Sequence, residues 1–253
     1  MRIRYNPEAR PGLAAWEYYI DEPEKLRGHW AEQFARRQPM VLELGCGKGG
    51  FLAQMAPAHP EKNYIALDVK SEMLVLAKRK AEEAYAAAGV PMDNFLMTAV
   101  DIERIFLIMD ETDQFDEVYI NFCPPCPKCR QHKHRLTHPR QLERYQKLMA
   151  PGARLYFKTD DDDLFRDSLE YFPASGYDIE WMTYDLHENE PEWNIRTEHE
   201  GMFTEMGIKI KALIARKKAG DDSVTWVEPK VLKKLAAQAE AEASAKAEGE
   251  GNV

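Results

Sequence analysis

Short apolar runs recur through the middle of this chain, each followed by a stretch long enough for a helix. Met40–Leu44, Tyr64–Asp68, Phe95–Val100, Glu117–Phe122 and Arg154–Lys158 read as strands. Between and after them, residues of about 49–57, 71–88, 138–149 and 161–172 read as helices. Alternation of this kind predicts right-handed crossovers and a parallel sheet covered on both faces. Two later strands, near Tyr177–Tyr184 and Ile208–Ala215, are expected to extend one sheet edge. The expected fold class is α/β, a three-layer αβα sandwich with a mainly parallel seven-stranded sheet.

The flanks differ from this middle. Residues 1–38 are polar with scattered Trp16, Tyr18, Tyr19 and Trp30, which predicts an extended arm and one short helix near Glu22–Arg37. Residues 219–253 are rich in Ala, Glu and Lys and nearly lack large apolar side chains past Leu235. They read as a lone solvated helix or a disordered tail. The principal domain is therefore 39–218.

At 253 residues and 44% hydrophobic composition, the chain can build one large domain with a proper core. No apolar run reaches the roughly 18 residues of a membrane span, and MRIRYNPEARPG has no apolar signal region. Four cysteines do not suggest a disulfide scaffold, so a reducing cytoplasm is expected. A net charge of −9 weighs weakly against nucleic-acid binding. The local balance reverses that between residues 128 and 147. There Lys128, Arg130, Lys133, Arg135, Arg140, Arg144 and Lys147 face one acid, Glu143. Such a patch can grip a phosphate backbone, or it can be a solvated helix face.

The chemistry-bearing motifs sit at strand ends. VLELGCGKGGF (Val41–Phe51) runs from a strand through a glycine-rich turn into a helix. Gly45, Gly47 and Gly49 permit positive φ and close backbone approach. A nucleotide-like ligand sits at this place in an open parallel sheet. No GK[ST] closes the turn, so it is not a phosphate-cradling P-loop. Asp68 ends the second strand, where a carboxylate can hold two ribose hydroxyls. Asp101 follows the third strand and suits either an adenine amine or a helix N-cap. A glycine turn with a strand-two acid is shared by dinucleotide enzymes and S-adenosylmethionine (SAM) methyltransferases.

Later segments separate these two. YINFCPPCPKCRQHKHRLTHP (Tyr119–Pro139), LYFKTDD (Leu155–Asp161) and IRTEHE (Ile195–Glu200) resemble the bacterial tRNA (guanine-N7)-methyltransferase family. That family carries F-x-D-P-W-P-K-x-R-H-x-K-R-R-L-T-H, F-K-T-D and T-E-Y-E. The match runs in register from about residue 40 to 215. The resemblance implies a Rossmann-like SAM-dependent methyltransferase fold and methylation of guanine N7 in the tRNA variable loop. It implies that Glu43, Gly45, Gly47, Asp68 and Asp101 bind SAM. It places Lys128, Asp160 and Thr197–Glu200 at the target guanosine, and Arg130, Lys133 and Arg135 on the tRNA backbone. Asp160, Glu198 and Glu200 suit the catalytic work of gripping guanine and offsetting its developing positive charge. Asp160 also opens a run of four aspartates before a helix, where acids are favoured for the helix end alone. The implied partner is tRNA, with no membrane, acting as a monomer or homodimer.

The chain departs from the family where its motif acid becomes Pro124, its Trp becomes Cys126, its second Lys becomes Cys129, and the Tyr of T-E-Y-E becomes His199. The loss of that acid defines the alternative, a SAM- and tRNA-binding homologue with impaired catalysis. Cys123, Cys126 and Cys129 also form C-x2-C-x2-C, with Cys46, His132, His134 and His138 as conceivable fourth ligands. The ordinary reading of these thiols is free cysteine, and no metal is expected.

Overall fold

The computed structural model describes residues 5–220 and 225–227. The tail expected to be helical or disordered falls almost wholly outside the described residues. Seven strands form one sheet in the order β3-β2-β1-β4-β5-β7-β6. They are β1 (Met40–Leu44), β2 (Asn63–Asp68), β3 (Phe95–Ala99), β4 (Phe115–Asn121), β5 (Met149–Thr159), β6 (Tyr177–Thr183) and β7 (Lys211–Lys217). The first five run parallel, and β7 lies antiparallel between β5 and β6. This is the expected α/β class. The helices are α1 (Ala9–Ala14), α2 (Leu52–Ala58), α3 (Ser71–Ala88), α4 (Pro139–Leu148), α5 (Asp162–Ala174) and α6 (Glu198–Glu205).

All five residues of β1 are buried, as a central strand covered on both faces requires. Side chains alternate between the faces. Val41 joins Phe51, Tyr64 and Tyr119 in one core, while Leu42 and Leu44 join Val118, Ile120 and Phe157 in the other. α3 buries Leu74, Ala77, Ala81 and Tyr85, a three-to-four-residue spacing that places them on one helix face. It ends at Gly89, whose φ of 67° lets its N–H reach back to the Tyr85 carbonyl at 3.0 Å.

The N-terminal arm differs from expectation. In place of one helix near Glu22–Arg37 there are two 3₁₀ turns, Pro23–Leu26 and Trp30–Gln33. Gly28 separates them with a φ of 82°, a conformation that no helix accommodates. Asp113 then accepts the Gly28 N–H at 2.6 Å and the Trp30 N–H at 3.0 Å. Trp30 is fully buried, and its indole N–H donates to the Ile108 carbonyl at 2.7 Å. Nor is the arm a free extension. Tyr19 forms a parallel bridge with Met97 of β3, and α1 packs on α3.

Candidate active site

The chain leaves β1 toward β2 and β3 on one side, and β4 and β5 lie on the other. The crevice this opens at the carboxyl ends of the strands is where α/β sheets bind ligands. A cavity of about 480 Å³ lies there. It brings together Glu43, Gly45, Gly47, Asp68, Asp101, Thr197 and Glu198, all expected at the site from sequence.

The glycine turn is bent back on β2. Gly45 and Gly47 have φ of 84° and 53°. The N–H groups of Gly45 and Cys46 both donate to the Leu67 carbonyl, at 2.9 and 2.8 Å. Asp68 accepts the Gly47 N–H on one oxygen and the Lys70 N–H on the other, each at 2.9 Å. Each oxygen keeps a lone pair for a ligand. Gly49 lies so close to α3 that a Cβ on it would meet the Ala77 Cβ at 2.6 Å. Asp101 takes the helix-cap role and also reaches the cavity. It caps the 3₁₀ turn Ile102–Leu107 by accepting the Glu103 N–H at 3.0 Å, and it lines the cavity.

Glu43 forms the floor with Asn121, the last residue of β4. Glu43 is 1% exposed, and its Oε1 accepts the Asn121 amide at 3.1 Å. Its Oε2 and the Asn121 Oδ1 have no hydrogen-bond partner. Burial pushes the Glu43 carboxyl up to about 7, against the pull of Asn121 and the Lys158 charge. An unsatisfied buried acceptor costs about 1–3 kcal/mol. A ligand carrying an ammonium or N–H groups would relieve that cost. The donor and acceptor set fits a nucleoside with a cationic amino group.

Behind the cavity lies a buried ion pair. Lys158 on β5 donates to Glu200 Oε2 at 2.7 Å, Asn194 Oδ1 at 2.8 Å and the Ile195 carbonyl at 3.0 Å. Glu200 is fully buried, and its Oε1 also meets His187 Nε2 at 2.8 Å and the Asn194 amide at 2.7 Å. Burial pushes the Glu200 carboxyl up, but Lys158 and these hydrogen bonds outweigh it and hold it below its ordinary value. Thr197 and Glu200 form a capping box at the start of α6. This corrects the expectation for Glu200. It does not line the cavity; it anchors the segment that carries Thr197, Glu198 and His199 to the cavity wall.

Other expectations separate in the same way. Arg135, expected on the tRNA backbone, is 1% exposed. Its guanidinium donates to the Pro125 carbonyl at 2.7 Å and to Asp167 at 2.5 Å, so it braces the motif loop from inside. Lys128, Arg130 and Lys133 stay exposed at the 3₁₀ turn Cys129–His134, with no ion pair among the described residues. Asp160 is half-buried beside the cavity without lining it, and desolvation pushes its carboxyl up. The duty at the helix end falls to its neighbour Asp161, which accepts the Leu164 N–H at 2.7 Å.

Cys123, Cys126 and Cys129 do not converge. The first is buried, the second partly so and the third exposed. Burial pushes the Cys123 thiol up to about 12. Among the described residues, the group whose ligand atoms lie within 4.8 Å of one another is His187, Glu190 and Glu200. Its carboxylates are taken by Lys158 and Arg196.

Several lining residues had no sequence expectation, including Lys48, Asn121 and Phe122, while His199 falls within the expected segment Thr197–Glu200. Position at a strand end or in the glycine turn was the available signal for the first two. Phe122 and Cys126 hold φ of 55° and 46°, rare for non-glycine residues, on either side of Pro124. Phe122 stacks near His199 with ring centroids 6.1 Å apart.

A protein family described as "Putative methyltransferase" matches residues 37–213. The tRNA (guanine-N(7)-)-methyltransferase of Clostridium beijerinckii is 49% identical over 217 residues, covering 86% of this chain and 99% of that protein. The protein of the same name from Clostridium perfringens (strain SM101) is 48% identical, covering 86% of this chain and all of that one. Among solved structures, the 16S rRNA methyltransferase KamB aligns with a TM-score of 0.52 at 16% identity. It covers 77% of this chain and 92% of that one, a likeness of fold.

Proposed function

This chain belongs to the tRNA (guanine-N(7)-)-methyltransferase family, and from that we propose that it methylates N7 of guanine in tRNA with SAM as donor. The observation that carries the reading is near-half identity across 99–100% of the length of relatives so named. The catalytic unit is residues 39–218, and the compartment is the cytoplasm where tRNA matures.

The cavity residues fit SAM. Glu43 and Asn121 offer buried acceptors for its ammonium, Gly45 and Gly47 admit it close to the backbone, and Asp68 offers lone pairs for ribose hydroxyls. Bound there, SAM supplies a sulfonium methyl group. Guanine N7 is an acceptor lone pair with no proton to remove. The N7–carbon bond forms as the carbon–sulfur bond breaks, and the sulfur leaves as a neutral thioether. The protein therefore needs no base. Its work is to orient the two partners, a contribution of up to about 7–11 kcal/mol in the best cases. Glu198, exposed on the cavity wall, is the group we assign to guanine N1–H and the 2-amino group. Its charge also offsets the positive charge that builds on the ring. Asp160 is a second carboxylate at the edge of the same site. Lys128, Arg130 and Lys133 hold the tRNA backbone.

Pro124 cannot accept the hydrogen bonds of the family's acid. In a reaction that moves no proton, this removes an orienting contact and leaves the displacement itself intact. The alternative of an impaired binding homologue finds no support among the relatives. The test is nucleoside analysis of unmodified tRNA incubated with the purified protein and SAM. N7-methylguanosine is the expected product, and its absence with SAM bound would return the chain to the impaired reading.

A further inference from the structure

One group of cations at the site has no part in the reading above. Lys48 comes from the glycine turn and Lys80 from α3. Lys48 lines the cavity and carries no ion pair or side-chain hydrogen bond among the described residues. Lys80 forms a close ion pair with Glu198, the acid assigned to guanine. The pair sits over Gly50, where an added Cβ would lie 3.0 Å from Glu198 Oε2 and 3.7 Å from Lys80 Nζ. Beside it opens a second recess, lined by Gln54, Lys80, Glu83, Arg196 and Glu198. The two recesses share Gly50, Thr197 and Glu198.

Charge is unevenly matched there. Arg196 is held by Glu190. Glu83 is one further acid near Lys80, and it forms no ion pair with it. Partial burial and the nearby Lys48 both push the Lys80 ammonium pKa down, so the two lysines feel each other. They also push the His199 imidazole pKa down, after its own desolvation. Lys80 is paired with Glu198 while Lys48 on the same rim has no ion pair among the described residues, which leaves room for an anion.

We propose that Lys48 and Lys80 form a subsite for a backbone phosphate of the tRNA beside the target guanosine, opened when Glu198 leaves Lys80 for the guanine. This rests on the function proposed above and adds to it. The exchange balances in charge. A carboxylate–ammonium pair gives way to a carboxylate on guanine N–H groups and an ammonium on a phosphate. It also balances in reach. A base and its phosphate are joined through one sugar, and here the groups that would take them are in contact. Gly50 keeps the seam narrow enough for both. The subsite couples recognition to affinity, because a base that cannot draw off Glu198 leaves Lys80 occupied.

The test is equilibrium binding of unmodified tRNA to the full chain at monovalent salt from about 50 to 200 mM. Each phosphate contact contributes about 0.7–0.9 to the slope of log affinity against log salt. Because the two lysines share one phosphate, the Lys48→Met/Lys80→Met double variant should flatten the slope by about 0.7–0.9, and each single variant by part of that. Lys80→Arg should keep the wild-type slope. Tm, measured by thermal unfolding of each variant, should hardly change and reports that the fold is intact. If Lys80→Met fails that control, Lys48→Gln in the glycine turn carries the same expectation alone. A wild-type slope in these variants overturns the subsite, even where tRNA affinity or rate falls, because Lys80 would then merely hold Glu198. Failure of the underlying function is read separately, as absence of N7-methylguanosine from the wild-type reaction.

Discussion

The floor of the cavity and its rim use charge in opposite ways. On the floor, Glu43, Lys158 and Glu200 are each 1% exposed or less, and every charge answers to a neighbour that cannot move away. At the rim, Glu198 and Lys80 are 48% and 29% exposed at their side chains, and Lys128, Arg130 and Lys133 project into solvent. Two acids separated by one residue, Glu198 and Glu200, fall on different sides of this division. Floor charges set geometry and respond to pH; rim charges are the ones we propose for the substrate, and they respond to salt.

The largest effect that could break this distinction is on the floor. Lys158→Met should destabilise the fold by about 3–5 kcal/mol, because it leaves Glu200 buried without its cation. For a domain of this size that lowers Tm by roughly 10 °C or more. The double variant Lys158→Met/Glu200→Gln should recover part of the loss, since neither charge is then stranded. Thermal unfolding of the three proteins reads this directly, and a single variant as stable as wild type would show that the pair is not anchored as described.

Glu43→Gln should weaken SAM binding by about 10- to 100-fold, the value of a charge-assisted hydrogen bond in a buried site. Calorimetry measures it, and stability should hardly fall, since Gln can keep the Asn121 contact and the second carboxyl oxygen is already without a partner. The pH dependence follows from the same group. Its carboxyl lies near 7 in the free protein, raised by burial. A cationic ammonium binds the ionised form. Affinity should therefore be full above pH 7 and fall as pH drops, by about tenfold between pH 8 and 6. Binding near pH 7 should release protons, detectable as a dependence of the binding heat on the buffer. A flat profile would place the ammonium elsewhere.

Thr197→Ala should have the smallest effect. It removes half of the capping box at α6 and costs about 1 kcal/mol. Because that box holds the segment over the cavity, KM for tRNA should rise a few-fold while SAM affinity stays constant. A change in SAM affinity with KM unmoved would reverse the assignment of floor and rim.

Much of this was legible in the sequence. Strand-end placement located Glu43, Asp68 and Asp101, because a parallel sheet forces such residues to one edge. What sequence could not separate was burial among like residues. Arg135 belongs to the same basic run as Arg130 and Lys133, yet it turns inward to Asp167. Glu200 belongs to the same short motif as Glu198, yet the first turn of α6 points it at Lys158, across more than forty positions of chain. The three cysteines are evenly spaced but follow a loop whose left-handed residues, Phe122 and Cys126, scatter them between core and solvent. The arm misled for a local reason, since Gly28 and Asp113 break a helix that composition alone would allow.

The most direct test sets Glu198→Gln against Glu200→Gln, measuring N7-methylguanosine formation and Tm for both. Glu198→Gln should slow methylation and keep the wild-type Tm, because it changes an exposed substrate contact. Glu200→Gln should lower Tm sharply, because it strands a buried lysine. If the two variants behave alike, or if Glu198→Gln unfolds the protein while Glu200→Gln spares it, the division between floor and rim is wrong.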